Sequence, residues 1–185
     1  MYYNNKNRDK NKENKMNLVL SDRNLDVFKD HHPTIQFIDL TKLNITNCVG
    51  CFGCWTKTPG KCVIRDDAIK VYPQIAASDR ILYVSRIKYG GYDTIMKTML
   101  ERSIPVQQAF IRLLHGETHH VQRNVVPKKA VIIGYGDISP EEQKIFRLLV
   151  ERNAKNMSFQ SYRIIFVTEN EVEAAVRNEV STWEK

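Results

Sequence analysis

Short apolar runs rich in β-branched residues alternate along this chain with stretches of helical periodicity, the pattern of a parallel sheet built from βαβ units. Asn17–Ser21 and Thr34–Leu40 read as the first two strands. Asp79–Ser85 reads as a third, apolar enough to be central, with Ala130–Gly134 and Arg163–Thr168 as the fourth and fifth. Helices are expected from Asp66-Asp67, from about Thr94 to Ser103 before a break at Pro105, from Ser139-Pro-Glu-Glu142, and from Asn170 to Trp183. This α/β alternation fits the strand order 2-1-3-4-5, with a ligand crevice at the carboxyl ends of the strands. The first crossover is abnormally short. Only about a dozen residues, Asp22 to Pro33, are available, near the minimum for a parallel connection. Either the first helix is one or two turns around Leu25, Val27 and Phe28, or the first strand is misread.

Four cysteines change the picture. They lie as Cys48-Val-Gly-Cys51-Phe-Gly-Cys54 and Cys62, and the chain has no others. Thiolate is the soft ligand of zinc and iron–sulfur clusters. Gly50 and Gly53 would let the backbone bend so that the sulfurs converge. Clustering in one segment argues against a disulfide framework. Three readings stand: a metal or cluster site, a cysteine-lined cofactor loop that binds no metal, or one redox-active thiol with bystanders.

At 185 residues the chain is expected to form one domain behind a polar tail over residues 1–15. No stretch has the ~18 apolar residues of a membrane span, and no secretory h-region opens the sequence. A reducing, cytoplasmic setting is therefore expected. Of the net charge of +7, the tail carries +3, and the rest is scattered without a basic stripe, so nucleic acid is not an expected partner. The tail lacks apolar periodicity and reads as disordered, and Met16 offers an alternative start.

The cysteine segment, with Ile38-Asp-Leu40, Lys57-Thr-Pro-Gly60, Tyr89-Gly-Gly-Tyr92, Glu101-Arg-Ser-Ile-Pro105 and Gly134-Tyr-Gly-Asp137, resembles the flavodoxin-like NAD(P)H-dependent FMN reductase and iron–sulfur flavoprotein family. The resemblance covers roughly residues 35–155. It implies a flavodoxin-like three-layer fold, FMN as cofactor, NAD(P)H as co-substrate, and a small-molecule or protein electron acceptor, in a chain that can form a homo-oligomer. It implies a 4Fe–4S cluster on Cys48, Cys51, Cys54 and Cys62 in one branch of the family, and no cluster in others. Three loops would hold FMN: Ser21 with Arg23 at the phosphate; Ser85, Arg86, Ile87, Lys88, Tyr89 and Gly90 beside the ring; and Gly134, Tyr135, Gly136 and Asp137 along its edge. Two of these depart from the family pattern. The phosphate loop Ser21–Asp26 has one hydroxyl and acids that repel phosphate, and Arg86 and Lys88 replace a Pro and a Tyr. The alternative is a degenerate flavodoxin-like protein without FMN, acting as a metal-bearing or structural binding module.

Several residues carry two readings each. Arg86 and Lys88 face either a flavin edge or solvent. Tyr89 and Tyr92 either stack on a ring or anchor their loop, and Trp55 reads as a packing lid over the cysteines. His119-His120 reads either as a direct catalytic or ligand group or as a surface or interface pair, and as neighbours on a regular element the two do not face each other; His31-His32 before Pro33 reads as a loop.

Overall fold

The computed structural model describes residues 15–30 and 32–183; the predicted tail, apart from Lys15, and His31 lie outside them. Strands β1 (Asn17–Ser21), β2 (Ile35–Asp39), β3 (Arg80–Lys88), β7 (Lys128–Tyr135) and β8 (Phe159–Val167) form a parallel sheet in the order β2-β1-β3-β7-β8. That is the order 2-1-3-4-5 expected from the sequence. A two-residue strand, β4 (Gly91–Tyr92), pairs antiparallel with the end of β3. A separate hairpin of β5 (Gln107–Leu114) and β6 (Glu117–Gln122) stands beside the sheet.

Helices cover the two faces unequally. Helices α2 (Ala68–Ala77), α3 (Thr94–Glu101) and α4 (Pro140–Asn156) lie over Leu18, Leu20, Ile81, Tyr83 and Ile132. Their contacts include Val71, Met96 and Phe146. The opposite face, Val19, Leu82, Val84, Val131 and Ile133, is covered by α5 (Val172–Ser181) through Val172, Val176 and Val180. The short crossover contributes a single 3-10 turn, Asp26–Phe28, with Leu25 buried and Phe28 stacked on Phe37 at 4.6 Å. This is the minimal turn that the sequence spacing demanded. All five residues of β1 are buried, as a central strand with both faces covered requires.

Three expectations need correction. The segment read as a loop beyond the third strand, Arg86–Lys88, is the continuation of β3, with Ser85 and Ile87 buried and Arg86 and Lys88 exposed. That alternation is a strand's own period. The turn is confined to Tyr89 and Gly90, at φ 54° and 70°. Gly134 and Tyr135 belong to β7, so the glycine turn begins only at Gly136, φ 127°. Residues 107–122, unassigned from sequence, form the hairpin. Among the described residues no helix is long and apolar enough to cross a membrane.

Candidate functional site

The carboxyl edge of the sheet brings the predicted loops together. In the ladder Ser85 pairs with Gly134 and Arg86 with Tyr135. Gly134 is needed there, because a Cβ would stand 2.8 Å from Ile87 and 3.3 Å from Phe166. The centre of this edge is filled by Asp22, the first residue after β1. Its Oδ2 accepts from Ser85 Oγ and from the Arg86 amide, both at 2.8 Å, and its Oδ1 accepts from Tyr135 Oη at 2.8 Å. One carboxylate thus ties the ends of three strands. Burial pushes its pKa up, although the three donors pull the other way. Tyr135 in turn is pushed up by burial and by Asp22.

Several residues predicted for the cofactor therefore point inward. Ser21, Ser85, Ile87 and Tyr135 are buried, Gly90 and Gly134 are packed within the hairpin turn and strand, and Tyr92 sits in the core against Phe146. Arg86, Lys88, Tyr89 and Asp137 are exposed around the rim, with the Lys88 ammonium 5.4 Å from the Tyr89 ring. Gly136 lies beside the Arg86 side chain and adds no Cβ to the edge. Asp22 is absent from the predicted site; the sequence marked it as a charge repelling phosphate, not as a hub between strands.

At the phosphate end the arrangement is different. Ser21 Oγ accepts from the Arg23 amide at 3.1 Å. The Arg23 guanidinium lies 3.6 Å from Glu169 and 5.3 Å above the Tyr135 ring. The amides of Asp26 and Val27, at the start of the 3-10 turn, donate to Glu173 at 2.8 and 3.3 Å. FMN, implied by the resemblance, therefore meets two ends of unequal quality. The rim suits a planar ring; the phosphate end, with the Asp26 and Val27 amides bonded to Glu173 and Arg23 within ion-pair range of Glu169, does not suit a dianion.

The cysteine loop lies between β2 and α2. Gly50 takes φ 64°, as a tight bend requires, but at the next bend it is Phe52 that is left-handed, φ 53°. Gly53 is needed for space instead, since a Cβ there would meet Val63 at 2.7 Å. All four cysteines line one apolar cavity of about 20 Å³, with Val49, Val63, Ile64 and Ile104. The room is that of about one water-sized sphere. Among the described residues no set of three or more His, Cys, Asp or Glu is placed to hold a metal ion. The donor chemistry suits a metal, but the expected convergence of sulfurs on one point is not reached. Apolar packing around the short helix α1 (Gly53–Thr56) buries Cys54 while Cys51 stays exposed. Burial pushes the Cys54 thiol up, and Cys62, Cys48 and Cys51 add to the effect.

Cys62 is braced from the core. Its amide donates to Tyr72 Oη at 3.2 Å, and its sulfur accepts from Arg102 Nη2 at 3.4 Å. Trp55 ties the loop to the β5–β6 hairpin, donating to Gln107 O at 3.1 Å and packing 4.6 Å from the His120 ring. His119 turns the other way, between Asn156 and Glu117, each at 2.9 Å. The two rings meet different partners, as alternation along β6 requires. A cavity of about 330 Å³ opens at the opposite, amino end of β3 and β7, beside Arg163 and Trp183, away from all of these groups.

No family model matches the chain. It is 32% identical over 75 residues to an iron–sulfur flavoprotein from Methanocaldococcus jannaschii, a match covering 40% of this chain and 38% of that protein. It is 30% identical over 71 residues to an iron–sulfur flavoprotein from Archaeoglobus fulgidus, covering 38% of this chain and 31% of that protein. The matches thus span about a third of the curated relatives' length. Among solved structures, an FMN-dependent NADH-azoreductase from Bacillus anthracis in complex with FMN superposes with a TM-score of 0.56 at 10% identity, covering 90% of this chain and 95% of that one. General stress protein 14 from Treponema denticola, in complex with FMN, superposes with a TM-score of 0.51 at 15% identity, covering 92% and 98%. The chain has a flavodoxin-like fold, and over about two-fifths of its length it is similar in sequence to two proteins named iron–sulfur flavoprotein.

Proposed function

We propose that this chain is an FMN-dependent NAD(P)H oxidoreductase or electron-transfer flavoprotein. The observation that carries the reading is the meeting of β3 and β7 at the carboxyl edge, where Ser85 pairs with Gly134 and Arg86 with Tyr135. In open α/β sheets this edge is where ligands bind. The relatives named iron–sulfur flavoprotein support the same class. A bound flavin supplies the electron chemistry. The chain's own part is positional and electrostatic. Asp22 fixes the strand ends, the Gly136 turn leaves the edge open, and Arg86 and Lys88 place positive charge beside whatever ring lies there.

NAD(P)H is the proposed electron donor, and a small molecule or a protein the acceptor. A cytoplasmic location accords with four free thiols. The exposed Phe110, Ile111 and Leu113 of the β5–β6 hairpin favour a homo-oligomer. A 4Fe–4S cluster on Cys48, Cys51, Cys54 and Cys62 is a separate component of the reading. Four thiols around one cavity support it, and the cavity's small volume means that the loop must open to admit a cluster.

The test is anaerobic purification followed by ultraviolet–visible spectroscopy, flavin titration, and NAD(P)H consumption with a quinone acceptor. Stoichiometric flavin reduced by NAD(P)H is the expected result, and a protein that takes up no flavin defeats the reading. Iron and sulfide analysis after anaerobic reconstitution decides the cluster independently. One observation favours the second reading, a degenerate module without FMN: the crossover amides are already bonded to Glu173.

A further inference from the structure

The first crossover supplies the amides and the cation with which a flavodoxin-like site would be expected to hold a phosphate, and in this chain the two amides that open its 3-10 turn are already engaged. Glu173 reaches from the first turn of α5, 147 positions away, and accepts from the Asp26 amide at 2.8 Å through Oε1 and from the Val27 amide at 3.3 Å through Oε2. Carboxylate and phosphate oxygens make the same demand on backbone N–H groups. A carboxylate tethered in place meets that demand at high effective concentration, so a free anion competes against it at a disadvantage.

The cation is paired in part, its Nη1 lying within ion-pair range of Glu169 without a hydrogen bond. Arg23 is the only basic residue between Ser21 and Phe28, and it is held between Glu169 at 3.6 Å and the Tyr135 ring at 5.3 Å. With Glu169 paired to Arg23 and Glu173 on the crossover amides, two carboxylates already occupy this segment and repel a dianion. Nor can the segment open easily into a wider loop. Leu25 is buried at 1% exposure, and Phe28 is stacked on Phe37 of β2. At the other end of the edge, Arg86, Lys88 and the Gly136 turn stay accessible to a ring.

We propose that Glu173 takes the place of the cofactor phosphate, so that this site accepts a flavin lacking a 5′-phosphate, such as riboflavin, in preference to FMN. The inference rests on the flavin reading above and narrows it to the ligand class that the phosphate end allows.

The experiment titrates the full-length protein in parallel with riboflavin and with FMN, followed by quenching of flavin fluorescence. The wild-type protein is expected to bind FMN no more tightly than riboflavin. Glu173→Gln removes the charge while keeping one acceptor for the amides; it should tighten FMN about tenfold and leave riboflavin unchanged, the size expected for one hydrogen bond to a charged group. Thermal melting checks that the variant is folded, and the wild-type comparison needs no variant at all. FMN binding tenfold tighter than riboflavin in the wild type overturns this inference and leaves the flavin reading standing. A folded Glu173→Gln protein with an unchanged FMN-to-riboflavin ratio also overturns it. Binding of neither flavin overturns the flavin reading itself, and this inference with it.

Discussion

Arg102 and Asp66 meet in a two-pronged ion pair, Nη1 to Oδ2 at 2.6 Å and Nη2 to Oδ1 at 2.8 Å, with both side chains withdrawn from water. The pair joins three parts of the fold. Arg102, just past α3, also donates to Thr46 O at 2.6 Å and to the Cys62 sulfur. Asp66 accepts from the Thr46 amide at 2.9 Å and from the Ala68 amide at the start of α2 at 3.1 Å. Burial pushes the Asp66 carboxyl up, but Arg102 and Thr46 together outweigh it and hold the group well below the ordinary carboxylate range.

Arg102→Met should therefore destabilise the protein by about 3–5 kcal/mol, because it leaves a buried carboxylate without its partner. Arg102→Lys should fail to restore full stability, since an ammonium cannot form the two-pronged geometry. Urea denaturation at neutral pH measures both. A loss below about 1 kcal/mol for Arg102→Met would mean that water or Thr46 satisfies Asp66 alone.

The sheet was legible because its strands are short apolar runs with charged or turn residues between them. The hairpin was not. Phe110, Ile111 and Leu113 are all exposed, so Gln107–Leu114 has no buried face to impose alternation, and its pattern matches neither period. The extension of β3 was readable and was missed. Ser85, Arg86, Ile87 and Lys88 alternate buried and exposed, but the two charges next to Gly90 read as a loop. The site was half legible. The predicted edge loops do meet, whereas the Glu173 clamp joins residues nearly the whole chain apart and leaves no local signal. Asp22 shows why composition misleads here: an acid after a strand reads as a repulsive surface charge until the donors of β3 and β7 are seen around it.

Lys128 gives a pH prediction. Its side chain is fully buried at the start of β7, donating to Val126 O at 2.6 Å, and burial lowers its pKa to about 8 despite the pull of Asp79. The unfolded chain, with an ordinary lysine near 10.5, binds more protons than the folded one between pH 8 and 10.5. Stability from this group therefore rises with pH across that window, by about 3 kcal/mol. Cys54 acts the opposite way at alkaline pH, so the quantity to measure is the difference between wild type and Lys128→Met in urea melts. That difference should grow from pH 8 to 10.5, and a flat difference would show that the amine is hydrated and titrates normally.

The Tyr89-Gly90 turn separates stability from function. Both residues are left-handed, at φ 54° and 70°, the pairing of a two-residue hairpin turn in which Asn-Gly is favoured. Tyr89 is 84% exposed, so its ring contributes little packing. Tyr89→Asn should raise stability by about 0.5–1 kcal/mol by relieving a left-handed tyrosine, while weakening flavin binding if the ring stacks on the cofactor. Gly90→Ala should cost about 1–3 kcal/mol, because its Cβ would stand 2.7 Å from Ile145 of α4. Chemical denaturation beside flavin titration reads both effects. Equal stability of wild type and Tyr89→Asn would place the turn in another conformation.

The cysteine loop can be read through its chemistry, since alkylation follows thiolate fraction and access. Cys51 is exposed and Cys48 and Cys62 are intermediate, whereas Cys54 is buried with its thiol pushed up by burial and by the three neighbouring sulfurs. Brief iodoacetamide pulses at neutral pH, followed by peptide mass spectrometry, should label Cys51 first and Cys54 last, with a difference in rate of at least about tenfold. Raising the pH should narrow the gap, as Cys54, its thiol pushed up by burial, gains thiolate later than the others. Equal labelling of all four would mean that the loop opens faster than the reagent reacts. That opening is what a cluster would need in order to enter a cavity of about 20 Å³. The same pulses after anaerobic reconstitution then discriminate sharply. A bound cluster protects all four thiols together, and protection of Cys54 alone leaves the motif a packed loop around one buried thiol.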